Sequence, residues 1–348
     1  MNILYLINYA GNGGSEKYVR VISQAMKAKG VSVYLGYNET GPLVAHMSPA
    51  YQITMRHPFD FKATKALARL CNQLEIDLIH AQFPRENYIA LLSNFFSKKK
   101  WAVVYTSHIN LKIGRLHKTI NWVLTRRNAA IIAVCHAVSA LLIKNRYPAQ
   151  KIHVIYNGVV HEARVPVEKE DCFTFVTLAR LSEEKGLPFL LESAKQLRDN
   201  GADFQLKIAG EGELKPQLQA YIDTHQLQDQ VFLLGHVADT QALLATSHAY
   251  VNSSVHEALS FGILEAMSMG LPLIATEVGG NVDIIQEAQN GILIDYGDTV
   301  QMSQAMERMM NNPELYQRYG ENSVTAVKTT FNLQKIIDET YEVYKNAR

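Results

Sequence analysis

Two glutamates in the second half of the chain, Glu257 and Glu265, stand eight positions apart around Ser260-Phe261-Gly262. A short apolar run before them, residues 249–252, reads as a buried strand. A helix is expected to start near Gly262, with Glu265 in its first turn and Gly270 and Pro272 ending it. The first amides of a helix lack intrahelical partners, and its dipole is positive there. Phe261, Gly262, Ile263 and Leu264 can therefore aim N–H groups at a phosphate, and a glycine at 262 lets the phosphate come close. A carboxylate beside that phosphate is tolerable where it accepts hydrogen bonds from neutral hydroxyls, as on a sugar or a ribose. Phosphate between two hydroxyl-bearing groups describes a nucleotide-sugar. The plainer alternative makes Glu265 a capping acid and Glu257 a loop acid in water.

Other residues that can do chemistry also follow expected strands. Arg180 and Lys185 come after a strand ending at Leu178, with Gly186 next. Ligands of doubly wound sheets bind beyond the carboxyl ends of strands. Two cations in one loop can neutralise a departing diphosphate, Arg as a bidentate fork and Lys as a point charge. Stabilising that charge is the largest catalytic term such a reaction asks for. The alternative is a solvated loop with Arg180 paired to Glu183 or Glu184, worth under about 1 kcal/mol. His108 ends the stretch Tyr105-Thr106-Ser107-His108, where a histidine can equally bond a backbone carbonyl. Gly11-Asn12-Gly13-Gly14 joins a strand to a helix, a phosphate-cradle arrangement. It is not the dinucleotide fingerprint, because Glu16 holds the place of the last glycine. No Asp-x-Asp pair and no metal-ligand spacing occurs, so no metal and no other cofactor is expected.

These residues need elements to position them. Apolar runs predict strands at 2–8, 31–37, 51–55, 77–81, 101–107, 129–134 and 151–156, interleaved with helices at 15–29, 61–74, 86–96, 116–125 and 136–145. A charged stretch from Glu162 to Asp171, containing Pro166, reads as a linker. A second alternation follows, with strands at 172–178, 203–209, 231–234, 249–252, 271–276 and 291–294 and helices at 186–199, 214–225 and 240–246. Helices at 301–310, 314–329 and 333–345 close the chain. Such alternation builds parallel sheets covered on both faces, so the fold class is α/β with two doubly wound, Rossmann-like domains. The expected domains are residues 1–161 and 162–332.

Composition agrees. The chain has 348 residues, 47% apolar and 19% charged, enough for about two soluble domains at ordinary domain size. A net charge of +1 argues against a nucleic-acid partner. The charge is unevenly spread: residues 88–161 contain no Asp or Glu, while Lys98, Lys112, Arg115, Arg126, Arg127 and Lys151 are among the cations there. A basic 98–151 face can meet anionic lipid headgroups. Cys71, Cys135 and Cys172 form no framework, which suggests a reducing cytoplasm; Cys135 and Cys172 are expected to be buried. No signal peptide and no membrane-length apolar run is present, so membrane contact is expected to be peripheral, at the inner face.

Glu257-x7-Glu265, followed by Ala266-Met267, Gly270-Leu271-Pro272 and Val278-Gly279-Gly280, resembles the signature of the retaining glycosyltransferase family 4 of the GT-B fold. Arg180-Leu181 to Lys185-Gly186 resembles that family's Arg…Lys-Gly motif, and Thr106-x-His108 its Thr-x-His. The resemblance covers nearly the whole chain and is tighter in the second domain. It implies a nucleotide-sugar donor, with UDP the expected carrier, and a glycan or lipid-linked acceptor on the first domain. It also implies a site in a cleft between the domains and a last helix, 333–348, that crosses back to the first. Arg180, Lys185, Glu257 and His108 take the catalytic roles, His108 as a stabilising group. Gly13, Gly14, Gly210, His236, Val237 and Glu265 join Phe261 to Leu264 in binding the donor. The rivals are a sugar-nucleotide epimerase of the same fold and a donor-binding subunit without turnover.

Overall fold

The computed structural model describes residues 1–108, 113–161 and 168–347. Lys112, and the part of the expected linker at 162–167 with Pro166, lie outside the described residues. The chain divides into two units, Met1–Asn157 joined by the chain from Gln334 onward, and Gly158–Leu333.

The first unit holds a seven-stranded sheet of β1 (Asn2–Tyr9), β2 (Ser32–Glu39), β3 (Ala50–Gln52), β4 (Leu78–Ala81), β5 (Ala102–Ser107), β6 (Ala130–Ala133) and β7 (Ile152–Val154). Every pairing is parallel, in the order β3-β2-β1-β4-β5-β6-β7. The covering helices are α1 (Gly14–Ala28), the short α2 (Leu43–His46), α3 (Phe61–Gln73), α4 (Pro84–Ser93), α5 (Arg115–Leu124) and α6 (His136–Lys144). Ile3 through Ile7 are wholly buried, as a parallel strand covered on both faces requires. Leu4, Leu6, Leu67, Ile79, Ile89 and Val103 form part of one core. Asp60 caps α3 by accepting from the Lys62 and Ala63 amides, which pins where that helix starts.

The second unit holds a six-stranded parallel sheet of β8 (Thr174–Leu178), β9 (Gln205–Ala209), β10 (Val231–Gly235), β11 (Ala249–Asn252), β12 (Leu273–Thr276) and β13 (Gly291–Ile294), ordered β10-β9-β8-β11-β12-β13. Its helices are α7 (Leu187–Asp199), α8 (Lys215–Thr224), α9 (Thr240–Thr246), α10 (Phe261–Ser268), α11 (Gly280–Ala288), α12 (Thr299–Asn311) and α13 (Pro313–Thr329). Phe175, Leu190, Leu206, Ile208, Val251 and Met306 lie in its core.

The strand order reverses between β1 and β4 in the first sheet and between β8 and β11 in the second. At each reversal the connections leave towards opposite faces and a crevice opens beyond the strand ends.

The last helix, α14 (Leu333–Asn346), returns to the first unit. Tyr344, fully buried, hydrogen-bonds the His80 ring on β4 at 2.6 Å and the Tyr5 hydroxyl on β1 at 3.2 Å. Lys29, just past α1, pairs with Asp338 at 2.7 Å.

Three details differ from expectation. The boundary falls at Gly158, because the Val159 amide and carbonyl pair with Phe331 and Leu333 and so tie residue 159 to the second unit. Cys172 is only part-buried, since β8 starts two residues later, whereas Cys71 and Cys135 are buried. The strand expected from 271 starts at Leu273, after Pro272, which has no N–H to give a ladder. Among the described residues no helix is long and apolar enough to cross a membrane.

Candidate active site

The second switch point collects the charged residues. The loop after β8 carries Arg180 to Gly186, and the loop after β11 carries Ser253 to Glu257. They are laced together by the Ser253 hydroxyl donating to the Lys185 carbonyl at 2.8 Å and the Val255 amide to the Glu184 carbonyl at 2.9 Å. Gly186 sits at φ 62°, and a Cβ there would stand 2.0 Å from the Ser253 carbonyl oxygen. Only glycine permits both that backbone and that approach. Lys185 Nζ then meets Glu257 Oε2 at 2.8 Å, with the side chains 22% and 11% exposed. The Ser254 hydroxyl donates to the same oxygen at 3.1 Å. Glu257 is therefore a braced, largely covered carboxylate and not an acid loose in water.

Glu257 is also fixed from below. Gly279 has φ 49°, and a Cβ there would lie 1.7 Å from the Glu257 carbonyl oxygen. Asn281 of α11 donates to Asn252 Oδ1 at 3.0 Å and to the Thr276 carbonyl at 3.0 Å. The Thr276 hydroxyl donates to the Ser254 carbonyl at 2.7 Å. This polar brace is buried, and no motif pointed to it. The only trace in the sequence is polar residues at strand ends where apolar ones would otherwise stand.

Helix α10 begins at Phe261, one residue earlier than expected, which places Glu265 in the second turn. The N-cap Ser260 makes no side-chain capping bond. The space a side chain at Gly262 would fill belongs to the Tyr250 hydroxyl, 2.5 Å from that Cβ position, with the Leu178 carbonyl at 3.3 Å. Glycine at 262 thus seats α10 against the end of β8, a packing reason that phosphate approach alone did not supply. The Tyr250 hydroxyl bonds the Leu178 backbone at 3.2 Å. Burial pushes the Tyr250 phenol up, and the negative charges of Glu257 and Glu265 add to the rise. Both carboxylates therefore act on one buried phenol.

Arg180 is mostly exposed and bonds Glu184, the solvated pairing named above as the alternative. That bond holds the Glu184 carboxyl below its usual range. The Gly210 amide donates to the Gly235 carbonyl at 2.8 Å, joining the ends of β9 and β10. His236, exposed, and Val237, half-buried, follow directly.

In the first unit, Gly13 and Gly14 are exposed at the start of α1. The Glu16 carboxylate stands where a Cβ on Gly13 would go, 2.7 Å away, and accepts from Ser15 at 2.9 Å. His108 ends β5 half-buried, with Nε2 2.9 Å from Gln82 Oε1 and the Tyr18 ring edge-on at 4.9 Å. Burial pushes its imidazole down to about 3. A ring so disposed is neutral at ordinary pH and, facing an amide oxygen, donates through Nε2. His80 beneath it is pushed to about 3 by burial and by His108, and bonds Thr106 at 2.6 Å. Neither Gln82 nor His80 carries a motif that singles it out in the sequence. Among the described residues no group of three or more His, Cys, Asp or Glu side chains could hold a metal.

Two doubly wound parallel-sheet units, with a last helix returning to the first, define a GT-B protein. The family model for group 1 glycosyl transferases matches residues 161–325, and that for glycosyltransferase family 4 matches residues 12–163. The chain belongs to this family, and it is a glycosyltransferase. It is 28% identical over 235 residues to an alpha-D-kanosaminyltransferase of Streptomyces kanamyceticus, covering 63% of this chain and 61% of that protein. It is 25% identical to the UDP-Gal:alpha-D-GlcNAc-diphosphoundecaprenol alpha-1,3-galactosyltransferase of Escherichia coli, over 82% of this chain and 79% of that one. The crystal structure of Anabaena Alr3699/HepE in complex with UDP superposes with a TM-score of 0.85 at 19% identity, over 99% of this chain and 100% of that one.

Proposed function

We propose that this glycosyltransferase takes a hexosyl group from a UDP-sugar and passes it, with retention, to a hydroxyl of a glycan or lipid-linked acceptor in the synthesis of a surface polysaccharide or glycolipid. The observation that carries this reading is the Lys185–Glu257 pair at the β8–β11 switch point, beside the start of α10. A cation, a hydroxyl-accepting carboxylate and helix-terminal amides are the three groups a sugar diphosphate needs. The names of two relatives, one using UDP-Gal and one solved with UDP, support UDP as the carrier.

In this reading Lys185 and Arg180 face the diphosphate, Arg180 leaving Glu184, which it holds only at the surface. The amides of Phe261, Gly262, Ile263 and Leu264 receive a phosphate. Glu257 and Glu265 accept hydroxyls of the donor. Backbone at Gly210, His236 and Val237 lies along the nucleobase, and Gly13 and Gly14 approach the phosphates. The anomeric C–O bond to the β-phosphate breaks while the acceptor oxygen bonds the same face of that carbon. The acceptor proton passes to a phosphate oxygen, and UDP leaves. Two cations neutralise the leaving group, so no metal is required. His108 contributes a neutral N–H near the reacting centre and is too weakly basic to take the proton.

The first unit further carries exposed Leu116, Trp122, Val123, Phe95 and Phe96 among its cations, with Arg126 over the Trp122 ring at 4.1 Å and Arg127 over Phe95 at 4.5 Å. Not every cation is available: Lys99 pairs with Asp77, and Lys151 bonds the Arg126 and Asn128 carbonyls. The remaining basic and apolar surface supports peripheral binding to anionic lipid at the cytoplasmic face of a membrane. Sedimentation with anionic vesicles at low salt, against neutral ones, tests this; equal recovery would remove it.

A thermal-shift screen of UDP-, GDP- and ADP-sugars tests the main reading. A UDP-sugar should raise the melting temperature and be slowly hydrolysed to UDP and an α-sugar, read by anomeric NMR couplings. Isomerised donor would instead identify an epimerase, and binding without turnover a subunit.

A further inference from the structure

The first unit holds a pocket of about 480 Å³ to which no motif pointed. Small-molecule sites fall in roughly this range, 300–1,000 Å³. Asn8 near the end of β1, Phe83 and Glu86 just past β4 and Ser107 at the end of β5 line it. These positions surround the β1–β4 switch point, the crevice where ligands of doubly wound sheets bind. Tyr88, Tyr105, Tyr147, Leu141 and Leu142 give it an aromatic and apolar side, and Arg85, His117 and Asn145 add polar groups to its lining.

Glu86 is the unusual member. It is 0% exposed. Its Oε1 accepts from Arg85 Nε at 3.0 Å, while Oε2 has no hydrogen-bond partner among the described residues. Burial raises its pKa, against the pull of Arg85. A buried polar oxygen without a partner is costly, and a ligand hydroxyl relieves that cost. The wall supplies flat rings for the C–H faces of a sugar, and Asn8, Arg85 and Ser107 supply polar ends. An alkyl chain would leave Glu86 Oε2 unpartnered and strip water from Arg85 for no return.

We propose that this pocket seats one pyranose ring of the acceptor, its C–H face on the tyrosine wall and a hydroxyl on the Glu86 carboxyl, and that Glu86 selects which sugar is accepted. This rests on the reading of the protein as a transferase to a sugar-bearing acceptor, and it names the chemistry of that acceptor's first residue.

The test is methyl-resolved NMR of the full chain titrated with methyl pyranosides of glucose, galactose and N-acetylglucosamine, and separately with decanoate and UDP. At least one pyranoside should shift the methyl signals of Ile113, Leu141 and Leu142. Glu86→Leu should weaken that binding at least about tenfold, and Glu86→Gln should retain part of it. Pyranosides that leave those methyls unmoved, or decanoate alone moving them, overturn the proposal. The wild-type titration decides the matter even if Glu86→Leu fails to fold. UDP is the control for the donor reading. If UDP shifts Ile263 and Leu264 methyls and no pyranoside binds, the pocket assignment falls and the donor reading stands. If a pyranoside binds and UDP does not, the reverse holds.

Discussion

At the β8–β11 switch point a lysine and a carboxylate meet at 2.8 Å on loops locked by glycines and a buried Asn–Thr–Ser brace. At the β1–β4 switch point the loops present a neutral imidazole, a covered acid and aromatic rings. On the proposed reading, the same topology carries two kinds of recognition. A departing diphosphate bears fixed charge, so its site needs opposite charge held in place before the substrate arrives. A neutral acceptor offers shape and hydroxyls, so its site needs walls and a few polar atoms kept dry. The rigidity of the first kind rests on backbone packing, and that of the second on side-chain burial.

The largest expected effect breaks the charged side. Lys185→Ala should lower kcat by about 10²–10³, the scale of losing one group that meets developing charge. Among the described residues it leaves the Glu257 carboxylate with the Ser254 hydroxyl alone, so some stability is lost as well. The double variant Lys185→Ala/Glu257→Gln separates the two effects. It should regain the melting temperature lost by the single variant and none of the turnover. Near-normal turnover in either variant removes Lys185 from the leaving group.

Next comes the backbone that holds Glu257. Gly279→Ala should destabilise the second unit by about 1–3 kcal/mol, the cost of a residue forced into a sparsely populated backbone region. The overlap with the Glu257 carbonyl must also be relieved, so donor affinity should fall with it. A calorimetric scan together with UDP titration checks this. An unchanged melting temperature would show that the loop yields, and that backbone packing does not hold the charged site rigid.

The aromatic side is tested by acid. His80 and His108 are both pushed by burial from the ordinary value near 6.5 to about 3. Between those values the unfolded chain binds protons that the folded chain refuses. Their contribution is therefore complete above pH of about 6.5 and lost as pH falls towards 3. The carboxyls held low, such as Asp60 and Glu170, add to this loss only from about pH 5 down, and Glu86, raised by burial, opposes it as pH falls. Both tryptophans, Trp101 and Trp122, lie in the first unit, so their fluorescence follows that unit's unfolding. The urea midpoint should fall between pH 7 and 4.5, and His108→Gln should flatten the slope. A profile that stays flat in the wild type and also in Glu86→Gln would mean the histidines are charged or hydrated.

The same contrast explains what could be read from the chain alone. Arg180, Lys185, Glu257 and the paired glycines 279 and 280 occur as short motifs, because the loops that carry them are continuous and their glycines are fixed by backbone contact. Strand–helix alternation is equally legible, since buried parallel strands are unbroken apolar runs. The turn that holds Glu265 differs from expectation by one residue at the helix start, where local signals are weakest. The pocket leaves no signal. Asn8, Glu86, Tyr105 and Tyr147 come from distant segments, and each alone looks like an ordinary core or loop residue. His80 and Tyr344 join across 264 positions, a contact that only the folded chain creates.

The smallest expected effect sharpens the charged side from within. Arg180 and Glu184 are 65% and 50% exposed, so their pairing is screened and worth under about 1 kcal/mol. Arg180→Gln should therefore leave the melting temperature nearly unchanged. If the guanidinium transfers to the diphosphate, the same change should raise the donor KM and lower kcat, by less than Lys185→Ala does. Glu184→Gln should act in the opposite sense, because it frees Arg180 from its resting partner and lowers the cost of that transfer. Steady-state kinetics of both variants separate the two cases. Two silent variants would leave Lys185 as the cation that meets the leaving group and return Arg180 to the solvated surface.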